Sequence, residues 1–369
     1  MRLAVVGLGA AGVAAAMAAA EAGHHVVGFE QSGLDNQEAS SGGRAKIIRF
    51  GYDDPFYANL MRSTMTRWTD LGMRTGTRLM DRHGGIHIGS PAEIAVVEGG
   101  IRDAGQPYER VAAGAERLDA FGLRLSSDEP AVFEPAAGVM WTSAVRSALA
   151  AQAVAAGAEL RDHTVVEGID DAPGGVGLRT RGGVEVFDRV IVAGGPWSFR
   201  LAPQVAAAFA ITRRYQLVFT TDGSIGDGLP RPWIDLAAPG FYGMINVAPG
   251  MHLIGLHELE REQPVNDPGE PDDDQVRAAT IAQQTAYLRK RFGVEAAALE
   301  IRACHYTSTA SRDFVVDDCP GLPGVTLLSA CSGHGFKFSI TMGTYAARIA
   351  SGVSIPDRER FRLRFATMT

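Results

Sequence analysis

Lysine is nearly absent from this chain. Lys46, Lys290 and Lys337 are the only three, although basic residues total 35 against 42 acidic ones. Abundant Ala, Gly and Arg fit a GC-rich coding sequence that disfavours lysine, so a lysine retained here points to a task that arginine does not perform. Cysteine is as scarce. Cys304, Cys319 and Cys331 are odd in number and lack metal-ligand spacing, so neither a disulfide framework nor a zinc site is indicated. His83 and His87 stand four apart, but the glycines between them break the helix that would align them on one metal, and no metal site is expected. A formal charge of −7 argues against nucleic acid as a partner. No apolar run reaches the length of a bilayer span. An apolar strand beginning at Arg2 leaves no room for a signal peptide, so a cytoplasmic protein is expected.

At 369 residues, 46 % apolar and 21 % charged, the chain has room for two domains or one elaborated one. Its start carries the clearest signal. Arg2-Leu3-Ala4-Val5-Val6 leads into Gly7-Leu8-Gly9-Ala10-Ala11-Gly12, and an alanine-rich segment follows. This is G-x-G-x-x-G in the strand–turn–helix setting that a dinucleotide fingerprint needs. Gly7 makes the tight turn, Gly9 lets backbone approach a pyrophosphate, and Gly12 lets helix and strand pack closely. The helix N-terminus presents unpaired N–H groups to the phosphates. A second strand, His25 to Phe29, ends on Glu30, where a ribose hydroxyl is bound in such folds.

The first helix is expected from Ala10 to Ala22, closed by Gly23. A polar, Gly-rich loop then precedes Ala45–Phe50, where Lys46 and Arg49 lie three apart among apolar residues. Tyr57, Leu60, Met61, Met65, Trp68 and Leu71 recur at helical spacing, with Gly72 as the expected stop. Residues 79–90 read as a strand or hairpin, and 91–140 as irregular with short helical stretches. A helix from Trp141 to Gly157 precedes strands at 160–169 and 177–187, turned at Gly182-Gly183. The buried run 189–193 ends on Gly194-Gly195-Pro196-Trp197, a second cofactor contact that moves the choice of dinucleotide towards FAD. From Ile211 to Ile301 alternation predicts a strand-rich insert. Its one amphipathic helix is faced by Ile281, Thr285, Leu288 and Phe292 and stopped by Gly293. Strand 325–331 then meets a Gly-rich turn and a helix through Ala350, a second place where backbone donors and a positive helix end meet an anion.

Besides the fingerprint with Ala45-Lys46-Ile47-Ile48-Arg49, two later stretches are distinctive. One is Arg302-Ala303-Cys304-His305-Tyr306-Thr307 followed by Arg312-Asp313-Phe314-Val315-Val316-Asp317. The other is Ser332-Gly333-His334-Gly335-Phe336-Lys337-Phe338. Together they span nearly the whole chain, which resembles the monomeric sarcosine oxidase and N-methyltryptophan oxidase group of the D-amino-acid-oxidase-like flavoproteins. The resemblance implies an α/β fold with a glutathione-reductase-type, Rossmann-like FAD-binding domain (1–85, 140–212 and 303–369). An inserted α+β substrate domain on an antiparallel sheet would occupy 86–139 and 213–302.

It also implies FAD contacts. They would come from Gly7, Gly9, Ala10, Ala11, Gly12, Glu30, Gln31, Ser41, Arg44 and Ala45, then from Val166, Gly194, Gly195 and Trp197, and finally from Gly333, His334, Gly335, Phe336 and Lys337. Cys304 matches the cysteine that carries FAD covalently through the isoalloxazine 8-methyl group. Arg49 and Lys337 match the pair that binds the substrate carboxylate, and Tyr242 and His257 match groups of the substrate cavity. The implied activity is oxidation of a secondary, cyclic or N-substituted amino acid to an imine, with hydride passing to flavin N5 and reoxidation by O2. A monomer without membrane partners is implied as well.

Two positions depart from the oxidase pattern. Lys46 stands where the oxidases carry an arginine over the flavin ring, as it does in related deglycating oxidases. Leu253, four residues before His257, stands where the oxidases have the lysine that activates O2. His252 would supply a cation only if the register slipped by one, which turns it to the other face. Without a fixed cation, charge building on oxygen is not stabilised. This keeps open an FAD-dependent amino-acid dehydrogenase or desaturase of a biosynthetic pathway, reacting poorly with O2. A nicotinamide dehydrogenase using only the N-terminal fingerprint and a non-catalytic flavoprotein are the readings from other classes.

Overall fold

The computed structural model describes residues 1–221, 225–258 and 264–365. Two large sheets organise them. The first has six strands in the order Val315–Asp318, Val325–Ser329, Arg189–Val192, Arg2–Val6, His25–Phe29, Glu159–Arg161. All neighbours pair in parallel except Val315–Asp318, which runs antiparallel at the edge. Helices cover one face of this sheet and the three-stranded antiparallel sheet Val166–Ala172, Gly175–Thr180, Gly183–Phe187 the other, so its central strands read as unbroken apolar runs. The helix Ala10–Glu21 packs on the last helix, Ser339–Ala350, at very short range. A Cβ on Gly343 would lie 2.6 Å from Ala14 Cβ and 2.7 Å from the Ala11 carbonyl oxygen. The two ends of the chain thus form one layer.

The second sheet has eight strands in the order Ala296–Ser308, Ala210–Thr221, Met251–Leu256, Phe241–Ala248, Arg231–Asp235, Gly85–Ile88, Ala131–Glu134, Glu109–Val111. One pair, Trp233–Asp235 with Ile86–Ile88, is parallel, so the sheet is mixed where a purely antiparallel one was expected. The helix Asp274–Phe292 covers one face, bringing Leu288 and Phe292 onto Leu217, Phe219, Trp233 and Ile254. The other face meets the short strand Ala45–Ile48 through Ala45, Val139, Val218, Met244 and Leu253. The site lies between this face and the six-stranded sheet. The strand Ala296–Ser308 runs without a break through the expected boundary at 302/303, so Cys304 hangs on the eight-stranded sheet. Beside it, the Arg302 guanidinium donates to the Gln37 and Ala39 carbonyls at 2.6 Å each.

Several local expectations are corrected. The second helix spans Pro55–Thr75, passing through Gly72 to Gly76 at φ +62°. A glycine inside a helix costs only about 1 kcal/mol, and a Cβ here would meet the Thr77 carbonyl oxygen at 3.3 Å. Residues 79–90 are not a hairpin. Met80–Asp81 joins Gly138–Trp141, and Gly84 at φ +83° redirects Gly85–Ile88 into the large sheet. The stretch expected to be irregular holds a thirteen-residue helix, Pro91–Asp103. It is opened by a capping box in which Ser90 Oγ accepts from Glu93 N and Glu93 accepts from Ser90 N. The turn expected at Gly182-Gly183 falls on Arg181-Gly182. On the helix Asp274–Phe292 the buried face is Thr280, Gln284, Leu288, Arg291 and Phe292, with Ile281 and Thr285 only half-buried. Polar anchors turn it: Gln284 donates to the Tyr215 carbonyl at 2.8 Å, and Arg291 pairs with Asp235 at 2.8 Å. Among the described residues, no helix is long and apolar enough to cross a membrane.

Candidate cofactor and substrate site

An elongated cavity runs between the two sheets and takes its lining from both ends of the chain. At one end is the fingerprint. Gly7 adopts φ +91°, and a Cβ on it would lie 2.7 Å from Gly194 Cα. A Cβ on Gly12 would lie 1.9 Å from the Gly7 carbonyl oxygen, so Gly12 serves helix–strand packing and does not line the cavity. Gly9 opens the helix, Ser41 Oγ accepts from Ala10 N at 3.0 Å, and Ala11 follows in the lining. The Glu30 carboxylate is buried and fixed at both oxygens, by Leu8 N at 2.9 Å and Ser32 N at 3.1 Å. Gln31, Val166, Gly194, Gly195 and Trp197 line the same region. Arg44 and Ala45 do not line it. Arg44 reaches Glu300 at the surface, 3.3 Å away, and Ala45 is wholly buried in the apolar cluster with Leu253.

Two features suit this end to a dinucleotide. The glycine cradle admits backbone but no side chain. His305, 93 % buried in the cavity wall, has both ring nitrogens without a partner among the described residues, and a buried polar group of that kind calls for a hydrogen-bonding ligand.

The far end is cationic. Ser332 and Gly333 turn at φ +43° and +76°, and a Cβ on Gly335 would lie 1.9 Å from the Ala330 carbonyl oxygen. His334, Gly335 and Phe336 line the cavity there, and a single 3-10 turn, Phe336–Phe338, carries Lys337. Trp68 Nε1 donates to the Lys337 carbonyl at 2.6 Å, fixing the backbone. Lys337 Nζ donates to Tyr52 Oη at 2.9 Å and to the His334 carbonyl at 3.1 Å. Arg49 Cζ lies 4.4 Å and Lys337 Nζ 5.4 Å from the Tyr52 ring centroid, so one phenol ring takes both cations. Tyr52 O–H donates in turn to His334 Nδ1 at 3.4 Å, and His334 Nε2 donates to the Arg312 carbonyl at 3.2 Å.

Opposite stand Tyr242 and His257, with ring centroids 4.6 Å apart. Gln216 Nε2 donates to Tyr242 Oη at 3.0 Å, and Tyr306 O–H donates to His257 Nδ1 at 3.3 Å. Cys304 is buried beside them, with Lys46 and Cys331 lining the same wall.

Burial shapes the electrostatics. It lowers Lys337 well below the ordinary lysine value, with Arg49 adding to the effect and Glu134 opposing it. Burial, then Arg302, lowers Lys46 to about 8. Burial and the nearby cations push His257 and His334 down to about 3, so both imidazoles are neutral at physiological pH. Burial lifts Tyr242 to about 12. Among the described residues no carboxylate lines this end. Such an arrangement suits an anion, whose charge would favour the protonated form of both lysines.

Leu253 lies opposite Val218 and Met244 in the sheet and packs with Ala45 and Val139. His252 points to the other face, where its ring lies 5.3 Å from Phe219 and its Nδ1 accepts from Asn246 N at 3.1 Å. It supplies no cation to the cavity. Tyr52, Gln216 and Tyr306 are site residues that sequence reasoning passed over. The position of Tyr52, three after Arg49, and of Tyr306, two after Cys304 on one strand, were the available signals.

Residues 2–349 match a family described as FAD dependent oxidoreductase. The chain is 27 % identical over 357 residues to a monomeric sarcosine oxidase of Streptomyces avermitilis, covering 94 % of this chain and 92 % of that protein. It is 27 % identical over 374 residues to an N-methyl-L-tryptophan oxidase of Salmonella dublin, covering 98 % of both. Among solved structures, its fold is similar to the open form of NikD, an unusual amino acid oxidase essential for nikkomycin biosynthesis. There the TM-score is 0.86 at 22 % identity, over 99 % of this chain and 98 % of that one. The chain belongs to the family of FAD-dependent oxidoreductases.

Proposed function

We propose that the protein oxidises the C–N bond of an amino acid carrying a secondary, cyclic or N-substituted amine to the imine. The observation that carries this reading is the Arg49–Tyr52–Lys337 cluster, two cations on one ring in a cavity end that no carboxylate lines among the described residues. Arg49 offers a planar fork and Lys337 a point charge, and together they grip and orient a carboxylate. Bound FAD supplies the two-electron acceptor for the hydride leaving the carbon next to nitrogen. The reacting amine must be neutral, and the surrounding cations lower its pKa. Tyr242, His257 and Tyr306 wall the space for the substituent. His257, held down to about 3, is too weak a base to remove a proton and serves to orient.

In this reading the FAD-binding unit is 1–85, 140–212 and 303–369, with the remainder forming the substrate unit, and the protein works as a cytoplasmic monomer. The backbone of Gly7, Gly9, Ala10, Ala11, Gly194 and Gly195 holds the phosphates, Glu30 the ribose, and Gly333 to Lys337 the ring. Cys304 would carry the cofactor through a thioether, and Lys46 would supply a cation over the ring. O2 is the acceptor for reoxidation. The burial of Leu253 in an apolar cluster favours a second reading, a dehydrogenase or desaturase that passes electrons to another acceptor. Anaerobic mixing of holoenzyme with sarcosine-like, cyclic and sugar-modified amino acids and with tryptophan derivatives tests the proposal. Loss of the flavin absorbance near its visible maximum with one of these classes is expected, and no loss with any would overturn it. Stopped-flow reoxidation in air then separates the two acceptors.

A further inference from the structure

Beneath the cation cluster lies a buried acid that the proposed chemistry does not touch. Glu134 ends the strand Ala131–Glu134 and is fully buried, as is His87 on the neighbouring strand. Glu134 Oε1 accepts from Phe50 N at 2.6 Å, and Oε2 accepts from Gly51 N at 3.1 Å and from His87 Nε2 at 2.9 Å. Both acceptors are therefore used on the two residues between Arg49 and Tyr52. His87 Nε2 carries the proton, because a carboxylate only accepts, and His87 Nδ1 has no partner among the described residues. Gly51 makes the approach feasible: a Cβ there would lie 2.8 Å from His87 Cε1.

We propose that Glu134, oriented by His87, is a positioning residue that sets the Arg49–Tyr52 segment and supplies the buried countercharge for the Arg49/Lys337 pair. Backbone bonds to Phe50 and Gly51 fix where the flanking Arg49 and Tyr52 point, and Tyr52 in turn receives the Lys337 ammonium. The groups facing Lys337 are few. Arg49 and Tyr52 come from the segment itself, His334 from its own turn, His257 from across the cavity, and Tyr57 with Asp313 from behind the aromatic cluster. Of these, Arg49 disfavours the ammonium, while Glu134 is the acid that favours it. An acid placed in the lining would compete with a substrate carboxylate. Held one layer below, it offsets the cations and leaves their donors free.

The carboxylate-binding part of this inference rests on the function proposed above; the backbone-positioning part does not, and the test separates them. Holoenzyme of the wild type, Glu134→Gln and Glu134→Asp would be compared by deuterium exchange of the peptide spanning residues 47–53 and by benzoate titration of the flavin spectrum across pH. Glu134→Gln is expected to speed exchange in that peptide at least about tenfold, the loss expected when charge-assisted bonds become neutral ones. It is also expected to weaken benzoate binding and to move the pH at which affinity falls downward by about half a unit or more. Glu134→Asp keeps the charge and should leave that pH near the wild-type value while affinity drops, and it stands in if Glu134→Gln does not fold. Unchanged exchange together with an unchanged pH profile in Glu134→Gln overturns the proposal. Faster exchange with no benzoate binding by wild type at any pH would sink the carboxylate reading and leave the positioning role supported.

Discussion

Replacing Lys337 by methionine separates binding from folding. The side chain keeps its length, and the Trp68 bond to the Lys337 carbonyl stays because it involves only backbone. What binding loses is one charge-assisted hydrogen bond to a bound carboxylate, worth about 1.5–3 kcal/mol, or roughly 10- to 150-fold in Kd; Tyr52 Oη and the His334 carbonyl also lose their Nζ donor, which lowers stability. The cost of burying the ammonium pulls stability the other way. Lys337 is 94 % buried and its pKa lies well below the ordinary value, so the folded state holds the proton less well than the unfolded chain does. In the wild type, stability therefore rises with pH between the folded value and the unfolded lysine value of about 10.4, and protonation opposes folding below that window. Methionine removes this component. Isothermal titration or flavin difference spectra with benzoate should show the weakened Kd, while calorimetry near neutral pH should show a melting temperature close to wild type because the two stability changes offset. A Kd within about threefold of wild type, or a large loss of stability, would refute the reasoning.

Four further outcomes follow from the same geometry. Cys304→Ala should release all yellow colour into the supernatant on acid precipitation, whereas the wild-type pellet keeps it; colour lost from both would remove the thioether. Leu253→Lys should raise the second-order rate of reoxidation by O2 about tenfold or more by placing a cation near the ring, read by stopped flow, and an unchanged rate would show that this position does not govern the acceptor. Lys46 loses its charge as pH rises through about 8, so the rate of flavin reduction by substrate should fall over that limb, and Lys46→Arg should flatten it because arginine stays charged. Gly12→Ala forces a Cβ to within 1.9 Å of a carbonyl oxygen, an overpacking that costs about 1–3 kcal/mol or more, and the flavin-to-protein absorbance ratio of the purified variant should drop sharply.

What was legible in the sequence was mostly local. The fingerprint, its terminal Glu30 and the Gly-rich turn before Lys337 each express a backbone requirement within a few residues, and backbone requirements dictate residue type. Counting from His257 puts Leu253 on the face of the sheet it shares with Met244, because period-two alternation is fixed along a strand, but that Ala45 and Val139 would pack over it was not legible. The helix at Pro91–Asp103 was missed, although Ser90-Pro91 and Glu93 mark its start, because its polar, exposed face hid the apolar spacing. Gly72 and Gly84 misled in opposite ways. One glycine was accommodated within a helix, and the other ended a strand pairing that looked continuous. The Glu134–His87 pair was not legible, since its partners lie 47 and more than 80 residues apart and meet only once Gly85–Ile88 pairs with Ala131–Glu134 and the segment after Ala45–Ile48 packs against them. Tyr52 belongs with them, because its role comes from Lys337, 285 residues away.

The account's central claim is that an amino acid is oxidised while Arg49 and Lys337 hold its carboxylate. Anaerobic stopped-flow reduction of the holoenzyme by an amino acid that bleaches the flavin, compared with the same amine lacking the carboxylate, tests it most directly. The account predicts rapid bleaching by the acid and a reduction rate at least about a hundredfold lower for the decarboxylated amine, from the loss of two charge-assisted contacts of about 1.5–3 kcal/mol each. Equal rates for the pair, or bleaching by neither, would contradict it.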